Sequence, residues 1–318
     1  FVESLDLWTG ANEPLRCSRN ENADVFWATI GGMGLTGYII SASIRLTPIE
    51  SSTMRVDYRR VGSLAELLPL VCDASTQETY SVAWIDCVAS GEKTGRAVLM
   101  TAEHARRAEL PGQGADEPLR MPSLWPLSVP FNFPAAALNR HSVGTFNSLY
   151  YLAHPTRTGV FTSYEQFFYP LDRVGEWNRI YGKRGFIQYQ ALLSMESSNE
   201  GIPRLLDEIV RSQLASFLAV LKRTGVADEG MLSFCRPGVT LALDLPNVGM
   251  PLRELTARLD RLVVDHGGRL YLAKDACTTP DMIAQMYPRL DEFRQLKARI
   301  DPQRKFVSAQ AKRLGIVA

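Results

Sequence analysis

Two long segments of the chain carry apolar residues at helical spacing. In one segment the apolar positions recur three or four residues apart from Ile202 to Leu214, and in the other from Leu252 to Val263. Such a stripe predicts a helix with one apolar face that must pack on another surface. Short apolar and β-branched runs between the helices predict strands over residues 80–86, 185–193, 217–222, 238–245 and 269–274. From about residue 52 onwards the pattern therefore predicts an α+β layer with helices on a sheet.

The first fifty residues follow another pattern. Residues 1–10 and 14–18 predict a hairpin, and Asn22 opens a predicted helix with an Asx-type cap. A glycine-rich turn follows, and then a β-branched run over residues 38–47 predicts a strand that ends before Pro48. The predicted order is helix, glycines, strand.

The glycines at positions 32, 34 and 37 match G-x-G-x-x-G, with Asp57 twenty residues beyond the last glycine. A dinucleotide site of the Rossmann type needs a strand before these glycines and a helix after them, because the pyrophosphate lies on the helix N-terminus. The order here is the reverse, so this site is excluded. The glycines then either form a tight turn or let a flat ligand approach the backbone.

Composition excludes several classes of protein. The net charge of +1 argues against a nucleic-acid-binding surface, and the five cysteines have no metal-ligand spacing, so we expect free thiols and no metal site. No apolar run reaches the ~18 residues of a membrane-spanning helix.

The chain begins without Met inside a predicted strand, which we interpret as part of a longer protein. Residues 109–135 are rich in proline and predict either a lid over a site or a surface loop.

Two positions are candidates for chemistry on residue type alone. Gln188 and Gln190 share one face of a predicted strand, where they contact either solvent or a polar ligand. Lys274 ends another predicted strand, where it is either a solvated lysine or a fixed ammonium.

Several segments resemble FAD oxidases of the vanillyl-alcohol-oxidase superfamily, and within it the decaprenylphosphoryl-ribose oxidases. Residues 17–40, which contain the glycines, are similar to the superfamily. Residues 80–86, 170–179 and 185–190, and the run Gly267-Gly-Arg-Leu-Tyr-Leu-Ala-Lys-Asp275, resemble the ribose oxidases in order and spacing. The resemblance implies a two-domain flavoprotein with a split FAD-binding domain (residues 1–51 and 269–318) and an inserted sheet-and-helix substrate domain (residues 52–268). The resemblance also implies that the part of the family's FAD-binding domain that binds the pyrophosphate lies upstream of this sequence.

The resemblance also implies site residues. Lys274 would be catalytic, since an ammonium near the flavin N1–C2=O edge would stabilise the charge that hydride transfer to N5 leaves there. The residues implied to contact the cofactor are Ile39, Tyr271, Gly32, Gly34 and Gly37. The residues implied to contact the substrate are Gln188, Gln190, Trp84, Lys222, Val220, Leu171, Phe168, Ala242 and Thr240. For Trp84, an ordinary place in the core is the alternative.

The chain departs from the ribose oxidases at three places. Where those oxidases carry N-x-C-x-D-F-P, this chain has Thr240, Ala242 and Asp244 at the positions of the Asn, Cys and Asp. Phe168 stands where the family has a tyrosine, and Thr224 where it has an aromatic residue. Hydride transfer needs no thiol, but inhibitors that attach to that cysteine should not react here.

The implied activity is FAD-dependent oxidation of C2' of a decaprenylphosphoryl-ribose to a ketone. The implied partner is an NAD(P)-dependent reductase, which would complete an epimerisation to the arabinose form for cell-wall arabinan. One alternative is a related enzyme that oxidises another sugar, alditol or lipid alcohol; another is a binding module on the same fold without redox chemistry. Peripheral association with the cytoplasmic or periplasmic face of the inner membrane is implied as well.

Overall fold

A computed structural model describes residues 1–73, 79–121, 127–134, 137–214, 216 and 218–317. Its helices are α1 (Ala23–Thr29), α2 (Leu64–Cys72), α3 (Arg140–Ala153), α4 (Tyr164–Phe168), α5 (Met195–Ser212), α6 (Met250–Asp265), α7 (Pro280–Met286), α8 (Leu290–Ile300) and α9 (Ala309–Arg313). Its strands are β1 (Val2–Trp8), β2 (Pro14–Ser18), β3 (Tyr38–Ile44), β4 (Thr53–Val61), β5 (Tyr80–Ile85), β6 (Ala97–His104), β7 (Leu127–Ser128), β8 (Arg157–Ser163), β9 (Val174–Gly175), β10 (Phe186–Ser194), β11 (Ala219–Thr224), β12 (Gly238–Pro246) and β13 (Arg269–Leu270).

An eight-stranded antiparallel sheet forms the centre of the molecule, in the order β13-β10-β12-β11-β5-β6-β4-β8. The strands predicted from residue 80 onwards all belong to it. Residue 217, where one predicted strand begins, lies outside the described residues, and β11 starts at Ala219. Helix-covered sheets of this kind need one apolar face, and the alternation along β10 supplies it.

The helices α2, α5 and α6 cover one face of this sheet, here called the helix face. The two stripes that predicted helices face inward: Ile202 and Leu205 of α5, and Leu255 and Leu259 of α6, are all buried. They pack in the same core as Leu193 of β10. The prediction that both amphipathic helices lie on a sheet is therefore confirmed.

The first fifty residues form a separate three-stranded sheet in the order β2-β1-β3. The predicted hairpin and the order helix, glycines, strand are confirmed, although β3 ends at Ile44. The predicted Asx cap is wrong. Asn22 adopts a left-handed backbone conformation, and its side chain donates a 2.7 Å hydrogen bond to the carbonyl of Arg16 instead of capping α1.

The second face of the large sheet, here called the open face, is covered over one half. The aromatic ring of Tyr150, in α3, lies 4.6 Å from that of Trp84 in β5. At the far edge, α4 packs on β4 and β8. The half of the open face formed by β10, β12 and β11 carries six of the predicted site residues: Gln188, Gln190, Thr240, Ala242, Val220 and Lys222.

The described part of residues 109–135 is attached to the sheet rather than separate from it. The buried Ser52 lies just before β4. Its hydroxyl donates a hydrogen bond to the carbonyl of Arg120 at 2.7 Å. Strand β7 pairs in parallel with β9. Residues 122–126 and 135 lie outside the described residues, so whether this segment closes over a site stays a prediction.

The C-terminal helices return to the N-terminal part of the chain. Helix α8 contacts α1, and both contribute to the core that also contains the helix face of the large sheet. Strand β13 belongs to the large sheet, whereas the helices after it pack beyond its edge. The division at residues 51 and 268 stays a prediction.

Candidate active site

Four of the predicted site residues lie in one row across the open face. Gln190 of β10 is directly opposite Ala242 of β12, Ala242 is opposite Val220 of β11, and Val220 is opposite Trp84 of β5. Directly opposite residues in antiparallel strands project from the same face. The row spans three strand spacings, or about 14 Å. Its two ends differ, because Gln190 is half-buried while Trp84 is buried.

Two shorter rows flank this one. On one side Gln188 is opposite Asp244, and on the other side Thr240 is opposite Lys222. The register therefore places both glutamines and Lys222 on the same face as the row. The sequence could predict which residues of each strand share a face, but the pairing of the strands is a property of the fold.

Lys274 reaches this face from outside the sheet. The predicted strand over residues 269–274 is shorter than expected: β13 ends at Leu270, and Lys274 closes a 3-10 turn (Leu272–Lys274). The turn is held against β10, because the backbone N–H of Tyr271 donates to the carbonyl of Gln190 at 2.9 Å. Lys274, Tyr271, Gln188 and Gln190 consequently line one cleft, together with Tyr189 and Asp260 from the helix face.

The two lysines of the site are partly desolvated. Burial lowers the pKa of Lys274, and the carboxylate of Asp244 acts in the opposite direction. Burial also lowers the pKa of Lys222, and the positive charge of Lys274 lowers it further. Within the described residues, Nζ of Lys274 has no hydrogen-bond or ion-pair partner. A half-buried ammonium without a partner suits a site where negative charge develops.

Asp244 is a residue of the site that the sequence analysis did not select. It is 2% exposed, and burial raises its pKa to about 6, while the hydrogen bond from Gln188 and the charge of Lys274 lower it. One of its oxygens, Oδ2, is buried without a hydrogen-bond partner in the part of the chain that is described. Its sequence signal was a single acid in the apolar run 241–245.

Other predicted residues lie away from the cleft. Phe168 ends α4 and packs edge-on against Tyr80, with ring centroids 4.8 Å apart, at the far end of β5. Leu171 follows in the next loop, where its carbonyl accepts a hydrogen bond from the N–H of Val174. Trp84 is on the correct face, but Tyr150 covers it. Neither Phe168 nor Leu171 lines the cleft that contains Lys274.

The three positions of the G-x-G-x-x-G match are occupied by glycine for different physical reasons. A Cβ at Gly32 would lie 2.1 Å from the carbonyl oxygen of Ala28, and one at Gly37 would lie 2.7 Å from that of Trp8. The backbone of the chain itself therefore requires these two glycines. Gly34 has a φ of +70°, and a Cβ there would meet nothing within 4 Å. Gly34 is the one of the three that faces open space.

The surface beside Gly34 fits a flat aromatic cofactor such as the flavin of FAD. Every residue of β3 is exposed, and four of them are large and apolar: Tyr38, Ile39, Ile40 and Ile44. Ser233 and Phe234, which the sequence analysis missed, join this region to the cleft. The backbone of Ser233 lies against Gly31, and the ring of Phe234 lies 4.8 Å from that of Tyr271. Apolar β3, open Gly34 and the unpaired ammonium of Lys274 are the features that a flavin would need.

Comparison with known proteins identifies the family. The chain is 36% identical, over 99% of its length, to decaprenylphosphoryl-β-D-ribose oxidase of Mycolicibacterium smegmatis, and it covers 69% of that protein. The chain belongs to the family of this oxidase. An uncharacterized protein of Streptomyces coelicolor is 33% identical over 92% of the chain, which covers 81% of that relative.

More distant similarities agree with this family. Residues 194–314 match the D-arabinono-1,4-lactone oxidase family. A xylooligosaccharide oxidase from Myceliophthora thermophila has a similar structure, with a TM-score of 0.61, 12% identity and coverage of 98% of this chain and 65% of that one. The predicted α+β fold of the vanillyl-alcohol-oxidase type, the FAD cofactor and the class of FAD-dependent oxidoreductases are confirmed for this ribose oxidase family member.

Proposed function

We propose that this protein oxidises the C2' hydroxyl of a polyprenylphosphoryl-ribose, such as decaprenylphosphoryl-ribose, to a ketone. The observation that carries the proposal is one cleft lined by Lys274, Gln188 and Gln190 in a chain of the ribose oxidase family. When bound, FAD would accept the hydride from C2', and the proton of the oxidised hydroxyl would pass to solvent. The residues of this chain that would hold it are Ile39, Gly34 and Tyr271, beside Lys274.

The roles of the residues follow from their chemistry. The Lys274 ammonium stabilises negative charge that develops at the reaction centre, and it also orients the substrate hydroxyl. Gln188 and Gln190 bind polar groups of the sugar. Lys222 adds a second positive charge on the open face, which favours the anionic phosphate of the substrate.

A ketone at C2' would be the first half of an epimerisation. A partner NAD(P)-dependent reductase would return hydride to the opposite face of that carbon and give the arabinose form, for cell-wall arabinan. We also propose peripheral association with the inner membrane, on its cytoplasmic or periplasmic face, because a polyprenyl chain partitions into lipid. Among the described residues, no helix has both the length and the apolar character needed to cross a membrane.

A second candidate is oxidation of another sugar, an alditol or a lipid alcohol by the same chemistry. The departures at Thr240, Ala242 and Phe168 support it, because two of them lie on the face that carries Gln190.

The test is bleaching of the flavin absorbance of the FAD-loaded protein under anaerobic conditions. A polyprenyl-phosphoribose with a short prenyl chain should bleach it, and mass spectrometry should find a product lighter by two hydrogens. Bleaching by an alditol but not by the ribose would favour the second candidate. A protein that binds no flavin would favour a binding module without redox chemistry.

A further inference from the structure

The side-chain amides of Gln188 and Gln190 have orientations that their neighbours determine. An amide offers a carbonyl oxygen that accepts hydrogen bonds and an NH2 group that donates them, and the two ends are nearly alike in shape. A partner that can only accept, or only donate, a hydrogen bond therefore determines which end of the amide faces it. Each glutamine of the cleft has such a partner on β12.

Thr240 determines the orientation of Gln190. The hydroxyl of Thr240 donates its single hydrogen to the carbonyl of Ala191, with 2.9 Å between the oxygens. The same hydroxyl can then only accept from Gln190, whose Nε2 lies 3.1 Å away. Thr240 is 3% exposed, so water does not offer a competing partner. The carbonyl oxygen of Gln190 is thus directed away from Thr240.

Asp244 determines the orientation of Gln188 in the same sense. Nε2 of Gln188 lies 3.0 Å from Oδ1 of Asp244, and an ionised carboxylate can only accept a hydrogen bond. The groups that act on Asp244 are Gln188 from β10, Lys274 from the 3-10 turn and Tyr181 from the loop before β10. The charge of Lys274 favours the ionised form, so the carboxylate remains an acceptor at neutral pH.

Both glutamines therefore turn the same end to the cleft. Within the described residues, neither Oε1 atom has a hydrogen-bond partner, whereas both NH2 groups are bonded to β12. Their Cα atoms are two residues apart on one strand, or about 7 Å. Two carbonyl oxygens at this spacing form an acceptor pair, which binds hydroxyl hydrogens and disfavours anionic groups.

We propose that Thr240 and Asp244 are positioning residues that hold Gln190 and Gln188 with both carbonyl oxygens toward the substrate, so that the cleft selects two hydroxyl groups of a sugar. This proposal rests on the proposed function and deepens it, because it assigns the sugar hydroxyls to the glutamines and leaves the phosphate to the lysines.

The proposal gives a pH dependence with a defined sign. With a pKa raised to about 6, Asp244 is ionised above that pH and protonated below it. A protonated carboxyl can donate, which lets the amide of Gln188 turn over and present NH2 to the cleft. The dissociation constant of the substrate should therefore rise as the pH falls below about 6, while the limiting rate of flavin reduction changes less.

Anaerobic stopped-flow bleaching of the FAD-loaded protein by a short-chain polyprenyl-phosphoribose tests the proposal, because its saturation gives the dissociation constant and the limiting rate separately. Thr240→Val should raise the dissociation constant about tenfold with a limiting rate within about threefold of the wild type, since one hydrogen bond is lost. Thr240→Ser, which keeps the hydroxyl, should match the wild type. Asp244→Leu, which removes the acceptor for Gln188, should have the raised dissociation constant at every pH between about 5 and 8.

Asp86→Asn is the matched control, since Asp86 is also buried and accepts hydrogen bonds from Asn147 and Arg96, but does not line the cleft. It should bind the probe like the wild type. A probe that bleaches the wild type and saturates equally with Thr240→Val and Asp244→Leu would overturn the positioning roles while the proposed function stands. A wild type that the probe does not bleach would overturn both. If a variant does not fold, the pH dependence of the wild-type dissociation constant is the remaining test. A dissociation constant that stays the same as the pH falls through 6 would contradict the proposal.

Discussion

The two faces of the eight-stranded sheet consist of the same strands but differ in chemistry. Along β10, Tyr189, Ala191 and Leu193 enter the core on the helix face, while Gln188 and Gln190 lie on the open face and donate to Asp244 and Thr240. Each face has one buried aspartate bonded to this strand, Asp260 on the helix face and Asp244 on the open face. The comparison teaches that burial and a raised pKa are not enough to mark a site. The difference lies in what surrounds each aspartate.

Asp260 lines the cleft from α6 but is bonded to Tyr189 of the core, whereas Asp244 interacts with candidate site residues. Burial raises the pKa of Asp260 to about 6, and the hydroxyl of Tyr189 donates to its carboxylate at 3.0 Å. Asp244 has a pKa raised equally, to about 6, but it interacts with Gln188 and Lys274, the residues proposed to bind the substrate and to stabilise charge. Substitutions on the open face should therefore change binding and rate, and substitutions on the helix face should change stability.

The largest effect is expected from Lys274→Ala. Flavin reduction by the substrate should fall about a thousandfold or more, equivalent to about 4 kcal/mol of transition-state stabilisation, because a fixed positive charge is lost from a desolvated site. Anaerobic bleaching measures this rate. Dithionite should still reduce the variant, and Lys312→Ala, which removes an exposed lysine of α9, should react like the wild type. A normal rate in Lys274→Ala would remove the catalytic role.

Leu193→Ala tests the helix face. Leu193 is fully buried in the core, so its truncation should lower the free energy of unfolding by about 3 kcal/mol, from lost burial and the cavity that remains. Urea denaturation measures this change, and the bleaching rate of the folded variant should stay within about twofold of the wild type. Leu46→Ala, at a position that is 81% exposed, is the matched control and should cost less than about 0.5 kcal/mol.

Asp260→Asn sharpens the comparison between the two aspartates. The pKa of Asp260 is raised from 3.8 to about 6 in the folded protein, so the folded state binds a proton more tightly than the unfolded state. The resulting stability is present below pH 4 and is lost as the pH rises through 6. Relative to the variant, the wild type should lose at most about 3 kcal/mol over this window. Urea denaturation of both proteins at several pH values would contradict this if their difference did not change.

Ala242→Cys should have the smallest effect on the fold. Ala242 is half-buried in the row beside Gln190, at the position where the ribose oxidases carry a cysteine. Inhibitors that attach to that cysteine should leave the wild-type peptide around residue 242 unmodified and should add their mass to it in the variant. Peptide mapping is needed because the exposed Cys235 can react on its own. A modified wild-type peptide at residue 242 would show that the attachment needs no thiol there.

Local patterns in the sequence predicted the two longest described helices, five strands of the large sheet and the hairpin, and the resemblance of several segments indicated the family. The stripes from Ile202 and Leu252 each predicted a helix, because the spacing of apolar residues directly reflects the helical repeat. The order of helix, glycines and strand excluded a Rossmann site without reference to any contact. The alternation around Gln188 and Gln190 placed both side chains on one face, since the period of a strand is two residues.

The tertiary structure alone decided how the site is assembled. Gln190 and Thr240 are 50 residues apart in the chain, and Gln188 and Asp244 are 56 apart, so their hydrogen bonds depend on the register of β10 and β12. A shift of one residue would turn Thr240 and Asp244 to the helix face. The same long-range packing placed Tyr150 over Trp84 and held the turn of Lys274 against β10. Local sequence encodes the period of each strand, but the choice of neighbour depends on burial across the whole sheet.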